Sequence, residues 1–100
     1  MTDEKQTQTD IGGRGAQAPL PTINFATFIF SLNSSALVQL GMMEDPTTGQ
    51  KSQNLPLAKQ TIDILSMLEE KTKGNLDTDE AAMLKNILYD LRIHYVKAKG

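Results

Sequence analysis

The sequence has no cysteine and a single histidine. Without cysteine there is neither a disulfide nor a thiolate metal site, and one histidine cannot build a His-rich site. An excess of positive charge is missing as well. Ten basic and 12 acidic side chains leave a net −2, split as −1 over residues 1–22, −1 over 23–56 and zero over both 57–76 and 77–100. No segment attracts a polyanion, so nucleic acid is not expected as a partner. The start, "MTDEKQTQTDIGGRG", has no apolar stretch after a basic opening, so no secretory signal is expected and a cytoplasmic, bacterial-type soluble protein is the default. Most telling is a gap in charge altogether. From Ile23 to Met43, "INFATFIFSLNSSALVQLGMM", 21 residues pass without one charged side chain, and something has to cover them.

What is present divides the 100 residues into a tail and one small domain. Residues 1–22 are rich in Thr, Gln, Gly and Pro, with Ile11 and Leu20 as their only large aliphatics. Such a stretch cannot bury enough to offset its ordering entropy, so it reads as a disordered tail; a tail that folds on a partner is the alternative.

Residues 23–100 read as an all-α domain of three helices. Asn24 suits the N-cap of a first helix reaching about Leu40, with Gly41 as its stop signal. Phe25, Phe28, Ile29, Leu32, Ala36 and Leu40 fall on one stripe at helical spacing, while Phe30, Leu37 and Val38 lie off it. "EDPTTGQKSQN" (44–54) is a polar connection in which Asp45-Pro46 suits a type I turn and Gly49 a positive φ. Asn54 suits the cap of a second helix, with Pro56 in its first turn, running to about Lys73 and stopping at Gly74-Asn75. Asp77-x-x-Glu80 is a capping box for a third, whose stripe is Ala81, Leu84, Ile87, Leu88, Leu91 and Tyr95. Acids open this helix and Arg92, Lys97 and Lys99 close it, as its dipole favours. The short link between helices two and three makes them an antiparallel hairpin.

Three covers compete for the charge-free first helix. A bilayer fits its length, but seven of the 21 residues are polar, Asn33-Ser34-Ser35 consecutively near the centre. No basic cluster flanks it, and no Trp or Tyr marks an interface. A membrane-associated role for segment 23–43 is therefore the alternative rather than the leading reading. The second cover is the chain's own hairpin. In a three-helix unit, however, each helix touches only two others, and a helix apolar nearly all round leaves a surplus face. The third cover is a second copy, with a symmetric dimer the simplest closure; another protein's helix would use the same surface. Phe25, Phe28, Ile29, Leu32, Ala36 and Leu40 are the expected self-association or partner surface.

Candidate chemistry is thin. His94 has Asp90 four residues earlier on the same face, the minimum for an acid–base pair, but no nucleophile accompanies it. An enzyme with a site near Asp90 and His94 is thus the least favoured alternative, behind a surface histidine at a helix C-terminus. Asp63 and Glu70 share a face without the E-x-x-H pairs of a di-metal bundle. Glu69–Lys73 reads instead as a surface pair at i,i+4. Ser34-Ser35 lacks a G-x-S-x-G setting, and Gly49 with Lys51 is no phosphate loop. Met42 and Met43 suit either an adaptable surface or a gap in a core. No catalytic residue, metal or cofactor is expected.

Several phrases carry a family resemblance: F-x-x-F-x-x-S-L, S-A-L-V-x-L-G, D-P-x-T-G, the run N-L-x-L-A-K-Q-T-I-D-I-L-x-M-L-E-E-K-T-K-G-N-L, and the closing L-R-x-x-Y-V. Over residues 23–96 the chain resembles a bacterial family of short proteins known as a domain of unknown function, number eighteen forty-four. Pro56 and Asp77 stand where the family would have an acidic residue and Thr, and both suit a helix start. The resemblance implies a small, intracellular, helical protein and brings no activity or cofactor with it. The expectation is a non-enzymatic structural or interaction module that self-associates through its first helix.

Overall fold

A computed structural model describes residues 22–100 of the chain. The described residues form three α-helices and no strand: α1 (Phe25–Gln39), α2 (Leu55–Lys71) and α3 (Thr78–Lys99). The tail expected over residues 1–22 lies, but for Thr22, outside them.

Each helix starts where a side chain can take up its free amides. Asn24 Oδ1 accepts the Thr27 N–H at 2.9 Å, and Thr27 Oγ1 accepts the Asn24 N–H at 2.9 Å, so threonine here fills the place that Glu or Gln takes in the usual capping box. Asn54 Oδ1 accepts from Leu57 N–H at 3.1 Å, with Pro56 in the first turn, where no amide partner is lost. Asp77 and Glu80 cap one another's amides at 2.8 and 3.0 Å.

The α1 terminus is a Schellman turn. The N–H of Met42 donates to Leu37 O at 2.9 Å and that of Gly41 to Val38 O at 3.0 Å, with Gly41 at φ +80°. The α2 helix stops at Lys71, two residues before the expected Lys73. The four-residue ladder ends there, because the Lys73 N–H turns to Glu70 O at 3.4 Å and Gly74 follows at φ +86°, while the Thr72 hydroxyl bonds back to Leu68 O at 2.6 Å. With Lys73 outside the helix, the expected Glu69–Lys73 pair does not form. The ion pair among the described residues is Lys59–Asp63 at 2.9 Å, more than half exposed and worth little to stability.

The connection between α1 and α2 folds back on itself around Asp45. Its carbonyl accepts from Thr48 N–H at 3.1 Å and its N–H donates to Gln50 O at 2.9 Å, with the turn starting at Asp45-Pro46 and Gly49 at φ +72° as expected. Its carboxylate accepts the Thr47 hydroxyl at 2.6 Å and the Thr47 N–H at 2.8 Å. The hydroxyl bond, then the amide bond, holds the Asp45 carboxyl below its ordinary value. The loop is then tied to α1 at Gln39, whose carbonyl accepts the Asn54 N–H at 2.8 Å. The side-chain oxygen of Gln39 accepts the hydroxyl of the buried Thr61 at 2.7 Å. One residue thus fixes the register of α1 on α2 by both its backbone and its side chain.

Each helix packs on the other two. The core takes three side chains from each: Ile29, Ala36 and Leu40; Ala58, Ile62 and Leu65; Leu84, Leu88 and Leu91. Each set recurs at three- or four-residue steps or their sum, one stripe per helix. Phe25, Leu32, Leu37, Leu68, Ile87 and Tyr95 pack around them, half-buried. Burying one Leu or Ile contributes roughly 1.5–3 kcal/mol, so the core depends on all three stripes together.

Candidate functional site

The expected association stripe of α1 is divided by the fold. Ile29, Ala36 and Leu40 are enclosed by the chain's own hairpin. Phe25 and Leu32 are half-buried against the same core. This corrects the assignment of Ile29, Ala36 and Leu40 to a partner surface, because their side chains have no surface left to give. One copy does enclose those three residues. The helix count underestimated the hairpin, which presents two apolar stripes to α1 at once.

What one copy does not cover lies on the flanks of α1 and just beyond its end. Phe28 remains 42% exposed and Phe30 61%. At about 100° per residue each stands a quarter-turn or so to either side of Ile29. Met42 and Met43 follow, exposed by 44% and 42%. The sector between Phe28 and Phe30 on the outer side carries Thr27, Ser31, Ser34, Ser35 and Val38. It holds no charge, as nothing does from Ile23 to Met43.

Two of the four hydroxyls in this sector bond within the helix itself. Ser31 Oγ donates to Phe28 O at 2.7 Å, and Thr27 Oγ1 is taken up by the cap. A cleft of about 460 Å³ opens where Ser34, Ser35 and Val38 meet Met43, Pro46 and Leu57. It joins the outer side of α1 to the start of α2, where Leu57 is 41% exposed, and Glu44 and Asp45 stand at its edge as the first charges after Met43. Phe30, Met42 and Met43 were missing from the expected stripe. The off-stripe position of Phe30 was the sequence signal that marked it as outward.

The remaining candidates are not assembled. Asp90 is exposed and His94 half-buried on α3, and they form no ion pair. Asp63 is engaged by Lys59. Among the described residues no three His, Asp or Glu side chains gather closely enough to hold a metal ion. No helix of the described residues is long and apolar enough to cross a membrane: α1 has 15 residues, about 22 Å at 1.5 Å each, short of the roughly 30 Å hydrocarbon layer.

The described residues together define a small all-α domain whose first helix carries no charged side chain. The chain belongs to the family described as a domain of unknown function (DUF1844), which matches residues 22–97. That range takes in all three helices but for the last two residues of α3. No curated protein and no solved structure matches the chain.

Proposed function

We propose that the chain is a non-enzymatic interaction module of the bacterial cytoplasm that pairs with a second copy of itself through the outer face of α1. One observation carries the reading. The completed fold leaves Phe28, Phe30, Met42 and Met43 in water, along a segment with no charged side chain to keep another apolar surface away. Apolar surface gathered in this way marks association sites. A self-complementary patch on one helix closes most simply about a two-fold axis. Short side chains at Ser31, Ser34 and Ser35 let two such helices approach closely, while Phe28 and Phe30 flank the seam. The enzyme alternative near Asp90 and His94 draws no support from their separate environments.

Light scattering on the full chain across a dilution series tests the proposal. The expected result is twice the mass of one chain, falling to one chain mass for a Phe28→Ser/Phe30→Ser variant that keeps its helical circular dichroism. A wild-type protein at one chain mass throughout, up to the highest soluble concentration, overturns it. A membrane role is separated by the same variant: release from vesicles with no change of mass in solution favours lipid.

A further inference from the structure

A second apolar surface lies on the far side of the hairpin and has a different electrical character. Leu88, Tyr89, Ile93 and Val96 of α3 line an open groove of about 610 Å³ against α2, within the size range of ligand and peptide sites. Tyr89 is 66% exposed and Val96 67%, too much for residues that serve only the core. Lys85, Arg92 and Lys97 line the same groove, and Glu69 of α2 is the one acid among its described lining residues. Among the described residues none of the three cations has a carboxylate within 4.0 Å. Arg92 is steadied by donating from Nη2 to Ser66 Oγ at 3.1 Å, a bond that uses one of the five N–H donors of its guanidinium.

We infer that this groove takes an amphipathic helix of another protein, with apolar side chains along one face and carboxylates beside them. The spacing sets the geometry. The lining residues recur along α3 at three- and four-residue steps from Lys85 to Lys97, about 18 Å of helix at 1.5 Å per residue, which suits a helix of three turns or more laid alongside. Lys85 and Arg92 are about two turns apart on one side, so the occupant carries carboxylates seven residues apart. Charge complementarity favours this occupant over a second copy. On α1 the exposed apolar groups from Phe28 to Met43 carry no charge among them, and the acids that follow, Glu44 and Asp45, are adjacent rather than seven apart; on α2 Asp63 and Glu70 are seven apart beside Ile64 and Met67, but Asp63 is paired with Lys59 at 2.9 Å and Lys71 adjoins Glu70. The groove involves no residue of α1, so the inference stands apart from self-association.

The probe is a pair of fluorescein-labelled, Ala-based helical peptides of about five turns. Both carry Leu at i, i+4 and i+7, with either Glu or Lys at two flanking positions seven apart. Anisotropy against the full chain at low ionic strength reads the affinity, and amide shifts of the labelled protein read the location. The expected result is at least about tenfold tighter binding of the Glu peptide, with shifts along residues 85–97. That preference is reduced in Lys85→Glu and in Arg92→Glu, and Tyr89→Ala weakens both peptides. Glu69→Gln tightens the Glu peptide by about twofold, since a like charge is removed. Phe28→Ser/Phe30→Ser leaves all of this unchanged.

The inference is overturned if neither peptide binds, if charge makes no difference, or if the preference survives both charge reversals. It is equally overturned if shifts fall outside the groove, or if concentration-dependent shifts of the free protein show that a second copy already covers it. Stronger binding of anionic vesicles through the same cations also overturns it.

Discussion

Ile29 and Phe30 are neighbours in sequence, and truncating them should have opposite consequences. Ile29 has no exposed surface. Its replacement by alanine removes methylene groups that α2 and α3 surround, at a cost of about 2–5 kcal/mol including the cavity. For a domain of this size, with a total stability on the order of 4–12 kcal/mol, that is a large fraction. Phe30 is 61% exposed, so the folded monomer removes only about two-fifths of its surface from water. If full burial of Phe contributes about 3 kcal/mol, Phe30→Ala costs the monomer about 1 kcal/mol. Urea denaturation followed by circular dichroism at high dilution compares the two. At higher concentration the order of interest changes. A protein that folds and pairs gains about 1.4 kcal/mol per dimer for each tenfold rise in concentration above its dissociation constant. Wild type and Ile29→Ala should both show that dependence, and Phe30→Ala should lose it. Equal destabilisation at high dilution would refute the division of α1 into an inner and an outer face. Persistence of the concentration dependence in Phe30→Ala would refute the use of the outer face for pairing.

Gly41→Ala should cost more than Gly74→Ala, although both glycines have positive φ, +80° and +86°. The left-handed backbone costs each about 1–2 kcal/mol. A Cβ at Gly41 would also stand 2.9 Å from Gln53 Cγ, whereas nothing lies within 4 Å at Gly74; thermal melts rank the two. Thr61→Val should cost about 1 kcal/mol, and in a double-mutant cycle with Gln39→Ala the two losses should overlap, since both remove the same 2.7 Å bond. The carboxyl of Asp45 is held below its ordinary 3.8 by Thr47. Its contribution is therefore complete above that value and fades as pH falls through the lower folded value. Amide exchange at Thr47 should quicken in that acid window, and Asp45→Asn should show the faster exchange already at neutral pH.

The helix boundaries were legible because they are local chemistry. Asn24, Asn54 and Asp77 each cap the helix that follows, and each acts within three residues of itself. The same holds for the turn at Asp45. The end of α2 falls two residues short of the expected one because the Lys73 N–H turns to Glu70 O ahead of the left-handed Gly74, a tightening of the last turn that propensity does not register. The exposed flank of α1 was legible only in part, for a reason of range. Periodicity shows which residues of α1 share a face, but not whether that face turns toward the hairpin or toward water. The stripe from Phe25 to Leu40 was the strongest apolar pattern, and the strongest pattern is the one a core claims first. The weaker flank, Phe30 with Val38, was what remained for the surface. The Gln39–Thr61 bond, spanning 22 residues, was beyond any local pattern.

The hydroxyl groups on the outer side of α1 argue for a protein cover rather than against an apolar one. A serine facing a partner helix is unfavourable only if burial strips its hydrogen bond. Ser31 already spends its proton on Phe28 O within its own turn, and Thr27 is occupied by the cap, so burial against another helix removes no bond that these two donors make. What such residues contribute instead is shortness, allowing a neighbouring backbone close enough for Phe28 and Phe30 to reach around it. A bilayer would gain nothing from that shortness, and a helix of 15 residues would leave its ends below the headgroups. In the proposed pairing, a second helix laid on this side would therefore leave the bonds of Ser31 and Thr27 intact.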